Sequence, residues 1–282
     1  IEVQSYTNNL LTIRAKKFVL AMGGIENSRY LLWFKKKHGG KYFDPTTPIG
    51  EYWMEHPVFT LGKAFVKNSV YVKQYYSIKE KSQKINKILG CSFRMRGASS
   101  SETKQMLKNL ICVAPNLGNK ISKLLNKNIV CGITLRAAWE QSPAKTSSVS
   151  LLSETDRFGI SKANLTWSKN ALDRKTIKQS INVLNEWFLK DNIGRIKLDD
   201  WLINDLDYPE NDELGGQHHM GGTRMSDNRR FGVVDKNCRV FGSNNLYVAG
   251  SSIYVTGGYQ NPTLGIVQFS LRLSEHLKSM LL

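Results

Sequence analysis

The sequence predicts an α/β domain assembled from both ends of the chain, with an α+β domain built on an antiparallel sheet inserted between those ends. A strand, the glycine pair Gly23-Gly24 and a helix follow one another near the amino terminus, and together they are half of a βαβ unit. Short β-branched segments separated by polar turns fill 50–207, a pattern typical of an antiparallel sheet with one covered face. A second strand and a long amphipathic helix close the chain. We therefore predict that 1–49 and 208–282 share the α/β domain and that 50–207 forms the inserted one.

The first elements are a hairpin, a strand and a helix. Residues 1–13 predict a β-hairpin around Asn8-Asn9, a pair that tolerates positive φ. The apolar run 17–22 predicts a buried strand, and a helix follows over about 25–34. A glycine pair between a strand and a helix is the layout that brings backbone amides close to a nucleotide. The same turn also occurs where a chain merely packs tightly, so the residues alone leave both interpretations open.

The middle of the chain predicts several strands and two helices. The strands cover 58–66, 129–140, 147–152 and 161–167. One helix is predicted around 104–125. A second is predicted over 173–189, where apolar residues recur at helical spacing and Gly194 lies just past the end.

The end of the chain predicts a strand followed by a helix with a defined start. Residues 246–249 form the strand. Asn261 is a good N-cap and Pro262 suits the first helical position. Apolar residues between 266 and 280 then recur at helical spacing, which predicts a helix with one continuous apolar stripe.

The composition indicates a globular protein with a basic surface. The chain has 282 residues, 41% of them hydrophobic, and a formal net charge of +17. Such a charge raises the alternative of a nucleic-acid-binding protein, which would bind in a salt-sensitive way. Its lysines form only short runs, as at 35–37, without an aromatic-interleaved binding motif, so we interpret them as a solvated basic face and expect no nucleic-acid partner.

The cysteines and the hydropathy pattern indicate the cellular location to expect. The four cysteines are widely spaced, without a C-x-x-C pair, and we expect reduced, mostly buried thiols and no metal site. They are Cys91, Cys112, Cys131 and Cys238. Reduced thiols favour a cytoplasmic location, and no apolar run approaches the roughly 18 residues that a membrane span needs.

Three segments of the last quarter carry the most specific pattern. They are Q-H-H-M-G-G-T-R-M at 217–225, N-L-Y-V-A-G-S-S at 245–252 and T-G-G-Y-Q-N-P-T-L at 256–264. Together they resemble the closing signature of the glucose-methanol-choline (GMC) flavin oxidoreductases. The run A-x-G-G-I-E-N-x-R at 21–29 is similar to another element of that family. The resemblance implies an FAD-dependent enzyme that removes a hydride from an alcohol carbon, and it implies that His219 and Asn261 face each other across the flavin ring.

The chemistry of alcohol oxidation explains these two residue types. The hydroxyl must lose its proton as the carbon gives up its hydride, which calls for a base such as histidine and a second group that fixes the oxygen. His219 fits the base, and Asn261 fits the orienting group, although Asn261 can also serve simply as a helix cap. His218 is adjacent, but neighbours in an extended segment point to opposite faces, and the four-residue offset to Thr223 selects His219.

The resemblance also implies which residues hold the cofactor. They are Ala21, Gly23, Gly24, Gly250, Ser251, Asn261, Pro262 and Thr263. The amino terminus of the last helix would place partial positive charge near the flavin edge that becomes negative on reduction. The run E-H-P at 55–57 is similar to a further family element, in which we expect His56 to be structural.

One expected part is missing from the sequence. No G-x-G-x-x-G follows a strand, so we expect the nucleotide-binding amino-terminal part of the FAD domain to be a partner that lies outside this chain, and we expect the chain to be a fragment. An alternative function is a non-catalytic split or truncated module that holds no flavin alone. The other expected partners are a small alcohol, sugar or polyol substrate and an electron acceptor, for which oxygen, a quinone and a cytochrome all stay open.

Overall fold

A computed structural model of the chain describes residues 1–66, 71–72, 74–97, 130–210 and 216–281. The strands are β1 (Glu2–Gln4), β2 (Leu10–Thr12), β3 (Phe18–Leu20), β4 (Val58–Val66), β5 (Tyr75–Ser77), β6 (Cys91–Gly97), β7 (Val130–Trp139), β8 (Ser148–Thr155), β9 (Ser161–Thr166), β10 (Gly194–Leu198) and β11 (Leu246–Val248). The helices are α1 (Gly23–Lys37), α2 (Glu80–Asn86), α3 (Ala171–Lys190), α4 (Asp200–Ile203) and α5 (Thr263–Leu281), and a 3-10 turn covers Ser251–Ile253. The helix predicted around 104–125 lies outside the described residues.

The chain divides into two compact units. The first combines three segments, Ile1–Glu55, Ser142–Ser168 and Gln217–Leu282. The second combines His56–Gln141 and Lys169–Gly216. The boundaries predicted from the sequence fell at 49/50 and 207/208, so the segment 142–168, which we placed in the inserted domain, belongs to the first unit.

The first unit is organised around the parallel pair of β3 and β11. Phe18 lies opposite Leu246 and Leu20 opposite Val248, so both strands run toward the same edge. Both helices of this unit contribute to its core, α1 through Leu31 and α5 through Leu273. The hairpin predicted at the amino terminus is confirmed, since β1 and β2 pair antiparallel.

The hairpin of β8 and β9 differs from the prediction. We expected both segments in the antiparallel sheet of the inserted domain, but they pair only with each other among the described strands and pack on α1. Arg29 of α1 explains this placement. Its guanidinium donates to the carboxylate of Asp156 at 2.6 Å and to the carbonyls of Ile160 and Ser161 at 3.2 and 2.7 Å, which fastens the turn of the hairpin to the helix.

The second unit is an antiparallel sheet with a helix on it, as predicted for the middle of the chain. Its five described strands are ordered β10-β4-β7-β6-β5. The helix α3 contacts β10, β7 and β6, and its buried side chains join the core of this sheet. Asn170 caps α3 by accepting from the amides of Leu172 and Asp173, while Asp173 bonds back to the Asn170 amide.

Two helix ends differ from the predicted ones. The left-handed residue after α3 is Asn192, with φ 51°, whereas Gly194 begins a strand. In α5 the amide of Ile266 donates to the carbonyl of Pro262, so Pro262 rather than Asn261 occupies the cap position. The helix therefore begins one residue later than the sequence suggested.

Other global expectations concern membranes, metals and thiols. Over the described ranges, no helix combines the length and apolar character that a membrane crossing requires. The same residues contain no group of three or more His, Cys, Asp or Glu arranged to hold a metal ion. Cys91 and Cys238 are free, buried thiols as expected, and burial raises the pKa of Cys91 to about 12. Cys112 lies outside the described residues, and the side chain of Cys131 is not described.

Candidate active site

The candidate site lies in the first unit, where β3 and β11 end. Gly23 follows β3 as the first residue of α1, and Gly250 follows β11 just before the 3-10 turn. Both have positive φ, 93° and 104°. Apart from chain neighbours and the backbone of the same helix, no heavy atom of the described residues lies within 4 Å of a β-carbon built on either glycine, so both backbones border open space.

Asn27 ties these two strand ends together. Its side chain is fully buried and donates to the carbonyl of Ala249 at 3.1 Å and to Ser252 Oγ at 2.9 Å. Its oxygen accepts from the amide of Met22 at 3.0 Å. One amide side chain on α1 thus fixes the turn after β3 and the turn after β11.

The segment that carries His219 runs beside the 3-10 turn. Ser251 Oγ donates to the carbonyl of His219 at 2.6 Å, and the amide of Gly221 donates to the carbonyl of Ser251 at 3.1 Å. On its other side, Met220 and Met54 exchange both backbone hydrogen bonds at 2.8 and 2.9 Å. His219 therefore sits in a backbone held by neighbours on both flanks.

Gly24 lets that segment approach the start of α1. A β-carbon built on Gly24 would lie 2.5 Å from the His219 carbonyl oxygen and 2.6 Å from its β-carbon, distances that no real side chain allows. The space beside Gly24 is thus filled by His219, whereas the space beside Gly23 is open. Of the predicted cofactor residues, Gly24 is the one whose small size the packing of His219 explains.

The imidazole of His219 stands between an aromatic ring and a carboxylate. The ring centroid of Trp53 lies 5.4 Å away, and Trp53 in turn packs edge-on against Trp167 at 6.1 Å. The Oε2 atom of Glu55 lies 3.7 Å from His219 Nε2. The His219 side chain keeps 39% of its surface exposed while Glu55 keeps 4%, so a small molecule can reach the histidine but not the carboxylate.

His218 has a different role in the same segment. Its backbone amide donates to both carboxylate oxygens of Glu55, at 2.8 and 2.9 Å. The residue before it, Gln217, takes a left-handed conformation with φ 53°. The structure thus uses the backbone of His218 to anchor the segment.

The remaining predicted residues lie at the start of α5. Asn261 is exposed, Pro262 is buried, and Thr263 is the first helical residue. Tyr254 donates from its hydroxyl to the Pro262 carbonyl at 2.8 Å, and burial raises the pKa of Tyr254, which keeps this donor protonated. Within the described part of the chain, no hydrogen bond, ion pair or ring contact joins Asn261 to His219. Ala21 follows β3 directly and is exposed.

Comparison with known proteins relates part of the chain to one family. Residues 143–269 match the profile of the GMC oxidoreductases. That segment includes His219 and Asn261. Residues 143–269 are therefore similar to the carboxyl-terminal part of the GMC oxidoreductases. FAD is the cofactor of this family.

Solved structures of GMC oxidoreductases share the fold at low identity. A formate oxidase from Aspergillus oryzae matches with a TM-score of 0.55 and 14% identity, over 99% of this chain and 57% of its own. Pyridoxine 4-oxidase from Mesorbium loti matches with a TM-score of 0.63 and 14% identity, over 98% of this chain and 53% of its own. An FAD-dependent oxidoreductase from Chaetomium thermophilum matches with a TM-score of 0.59 and 14% identity, over 97% of this chain and 57% of its own. The chain spans just over half the length of these proteins.

The residues at the edge of β3 and β11 fit a flavin. Two strand ends with glycines and open space beside their backbones provide the close approach that a planar cofactor and its phosphates need. The first turn of α1 adds amides at the same edge. Sequence reasoning identified these glycines but missed Asn27, which stood within the quoted run at 21–29, and Glu55, which stood beside His56.

Proposed function

We propose that this chain is part of a GMC oxidoreductase and oxidises a CH–OH group of a small alcohol, sugar or polyol, with FAD as hydride acceptor and His219 as the base. The observation that carries the proposal is the position of His219. Its imidazole is 39% exposed, its backbone touches the first turn of α1 beside Gly24, and a buried carboxylate faces it. A base at the edge where two glycines border open space is what this reaction requires.

The cofactor residues follow from the same edge. Gly23, Gly250 and Ser251 would lie against the flavin, because their backbones end the two parallel strands there. Asn261, Pro262 and Thr263 would approach it with the amino terminus of α5, whose partial positive charge favours electron density on the ring. Ala21 and Gly24 complete the set, with Gly24 acting through its contact with His219.

The chemistry of the step divides between the cofactor and the protein. FAD, when bound, accepts the hydride that leaves the carbinol carbon. His219 takes the hydroxyl proton onto its imidazole, so the electron pair of the O–H bond can form the second C–O bond of the carbonyl product. Asn261 holds the hydroxyl oxygen with its amide, which keeps the C–H bond aimed at the acceptor.

The experiment is an anaerobic titration of the purified, complete gene product that contains this chain. We expect flavin absorbance in the visible range and bleaching on addition of a primary alcohol, a hexose or a polyol. Matched compounds that lack the reacting hydroxyl are the control and should leave the flavin oxidised. Bleaching only by donors without a CH–OH group would contradict the substrate class. A folded product without flavin would favour the non-catalytic module.

A further inference from the structure

Glu55 stands out among the buried polar side chains of the first unit. It is 3% exposed, and both of its carboxylate oxygens accept from the amide of His218. One of the same oxygens lies 3.7 Å from His219 Nε2. A single buried carboxylate therefore contacts the backbone that carries the base and faces the base itself.

The backbone contact holds a conformation that is otherwise unfavourable. Gln217, immediately before His218, has φ 53°, a region that residues with a side chain rarely occupy. Such a residue persists where its surroundings fix it. The two bonds from the His218 amide to Glu55 provide that fixation, and Met54, the neighbour of Glu55, pairs with Met220 on the other side of the base.

The charge contact matters when the base takes a proton. The distance of 3.7 Å is too long for a hydrogen bond but within the range of an ion pair once the imidazole is protonated. In the proposed reaction His219 becomes an imidazolium as the hydride leaves the substrate. A buried carboxylate beside it stabilises that state more than the neutral one.

We infer that Glu55 is a positioning residue for the base, one that locks the His219 segment through the His218 amide and offsets the charge of the imidazolium. The inference rests on the proposed function, because it needs His219 to accept the substrate proton. Glu55 touches neither substrate nor flavin, since its side chain is buried. A purely structural carboxylate would hold the segment but would leave the chemical step unaffected by loss of its charge.

The first test changes the charge and keeps the shape. In the flavin-loaded protein, Glu55→Gln keeps one acceptor for the His218 amide, so we expect a melting temperature within a few degrees and an unchanged apparent Kd for substrate. The limiting rate of flavin reduction should fall about tenfold or more. Glu55→Asp, which retains the charge, should recover part of this loss. A rate for Glu55→Gln within about twofold of the wild type would overturn the inference.

The matched control is Glu51→Gln. Glu51 lies in the same segment and pairs with Lys145 at 3.2 Å, but its side chain is 36% exposed and faces a surface lysine. We expect its reduction rate to equal that of the wild type. His219→Ala, measured in parallel, separates the two claims. If flavin reduction is slow in His219→Ala but normal in Glu55→Gln, only the inference about Glu55 fails. Normal flavin reduction in His219→Ala would contradict the assignment of His219 as the base.

The second test does not depend on flavin chemistry. Glu55→Ala removes both acceptors of the His218 amide, so deuterium exchange of the backbone amides of 217–220 should accelerate at least about tenfold. The amides of α3, in the second unit, should stay as protected as in the wild type. Unchanged protection of 217–220 would overturn the locking role. If Glu55→Ala loses protection throughout the protein, the reduction rate of Glu55→Gln decides whether Glu55 positions the base.

Discussion

Replacing Asn27 tests the idea that one buried amide holds the two strand ends of the site in place. In Asn27→Ala the amide of Met22, the carbonyl of Ala249 and the hydroxyl of Ser252 all lose their partner. Each lost bond costs about 1 kcal/mol, so we expect a loss of about 3 kcal/mol in the free energy of unfolding. Asn27→Asp keeps an acceptor for the amide of Met22 but sets a buried carboxylate against the carbonyl of Ala249, so it should also be destabilising.

Urea titrations of the flavin-free protein followed by circular dichroism measure this loss, with Asn164→Ala as the control. Asn164 is exposed on β9 and makes one long hydrogen bond of 3.4 Å to Ser150, so its removal should change stability by less than about 0.5 kcal/mol. We also expect Asn27→Ala to weaken flavin binding, since the turns at Gly23 and Gly250 are no longer fixed. A stability within about 1 kcal/mol of the wild type would refute the reasoning.

Three further predictions concern the base, the orienting residue and the hairpin. Gly24→Ala should slow flavin reduction by substrate at least tenfold in stopped-flow traces, because the new β-carbon displaces the backbone of His219; an unchanged rate would contradict this. Asn261→Asp should keep the melting temperature within a few degrees. Flavin reduction should be about tenfold slower, a loss of about 1.4 kcal/mol in transition-state stabilisation, because the new carboxylate lies where negative charge develops. Normal reduction kinetics would leave Asn261 without a catalytic role. The hydrogen bond from Arg29 lowers the pKa of Asp156, so the stability that this pair contributes is present above the unfolded pKa of about 4 and is lost as pH falls through the lower folded pKa. Between pH 7 and pH 3 the melting temperature should therefore drop less steeply in Asp156→Asn than in the wild type. Parallel curves for the two proteins would contradict this.

The elements that the sequence predicted correctly are those with a strong local pattern. The strands β4 and β7 and the helix α3 follow from β-branched runs and helical periodicity within a single segment. The family signature around His219 likewise lies in one short stretch. Local residue order was enough for these features because the hydrogen bonds of a helix join near neighbours, and β-branched side chains favour an extended backbone wherever the partner strand lies.

The features that the sequence did not predict depend on contacts between distant residues. The hairpin of β8 and β9 belongs to the first unit because Arg29 binds Asp156 and Ser161, which lie more than a hundred positions further along the chain. The sequence also did not predict a role for Glu55, because its partners His218 and His219 lie far away along the chain. No periodicity within either segment encodes such a pairing.

Anaerobic stopped-flow reduction of the flavin by substrate, compared between His219→Ala and His218→Ala, tests the central claim most directly. The imidazole of His219 faces Trp53 and Glu55, and His218 contributes its backbone amide to Glu55, which alanine retains. We predict that His219→Ala lowers the limiting rate of reduction about 100-fold or more, the scale of a lost general base, and that His218→Ala changes it by less than about threefold. A slow His218→Ala beside a normal His219→Ala would contradict the assignment of His219 as the base.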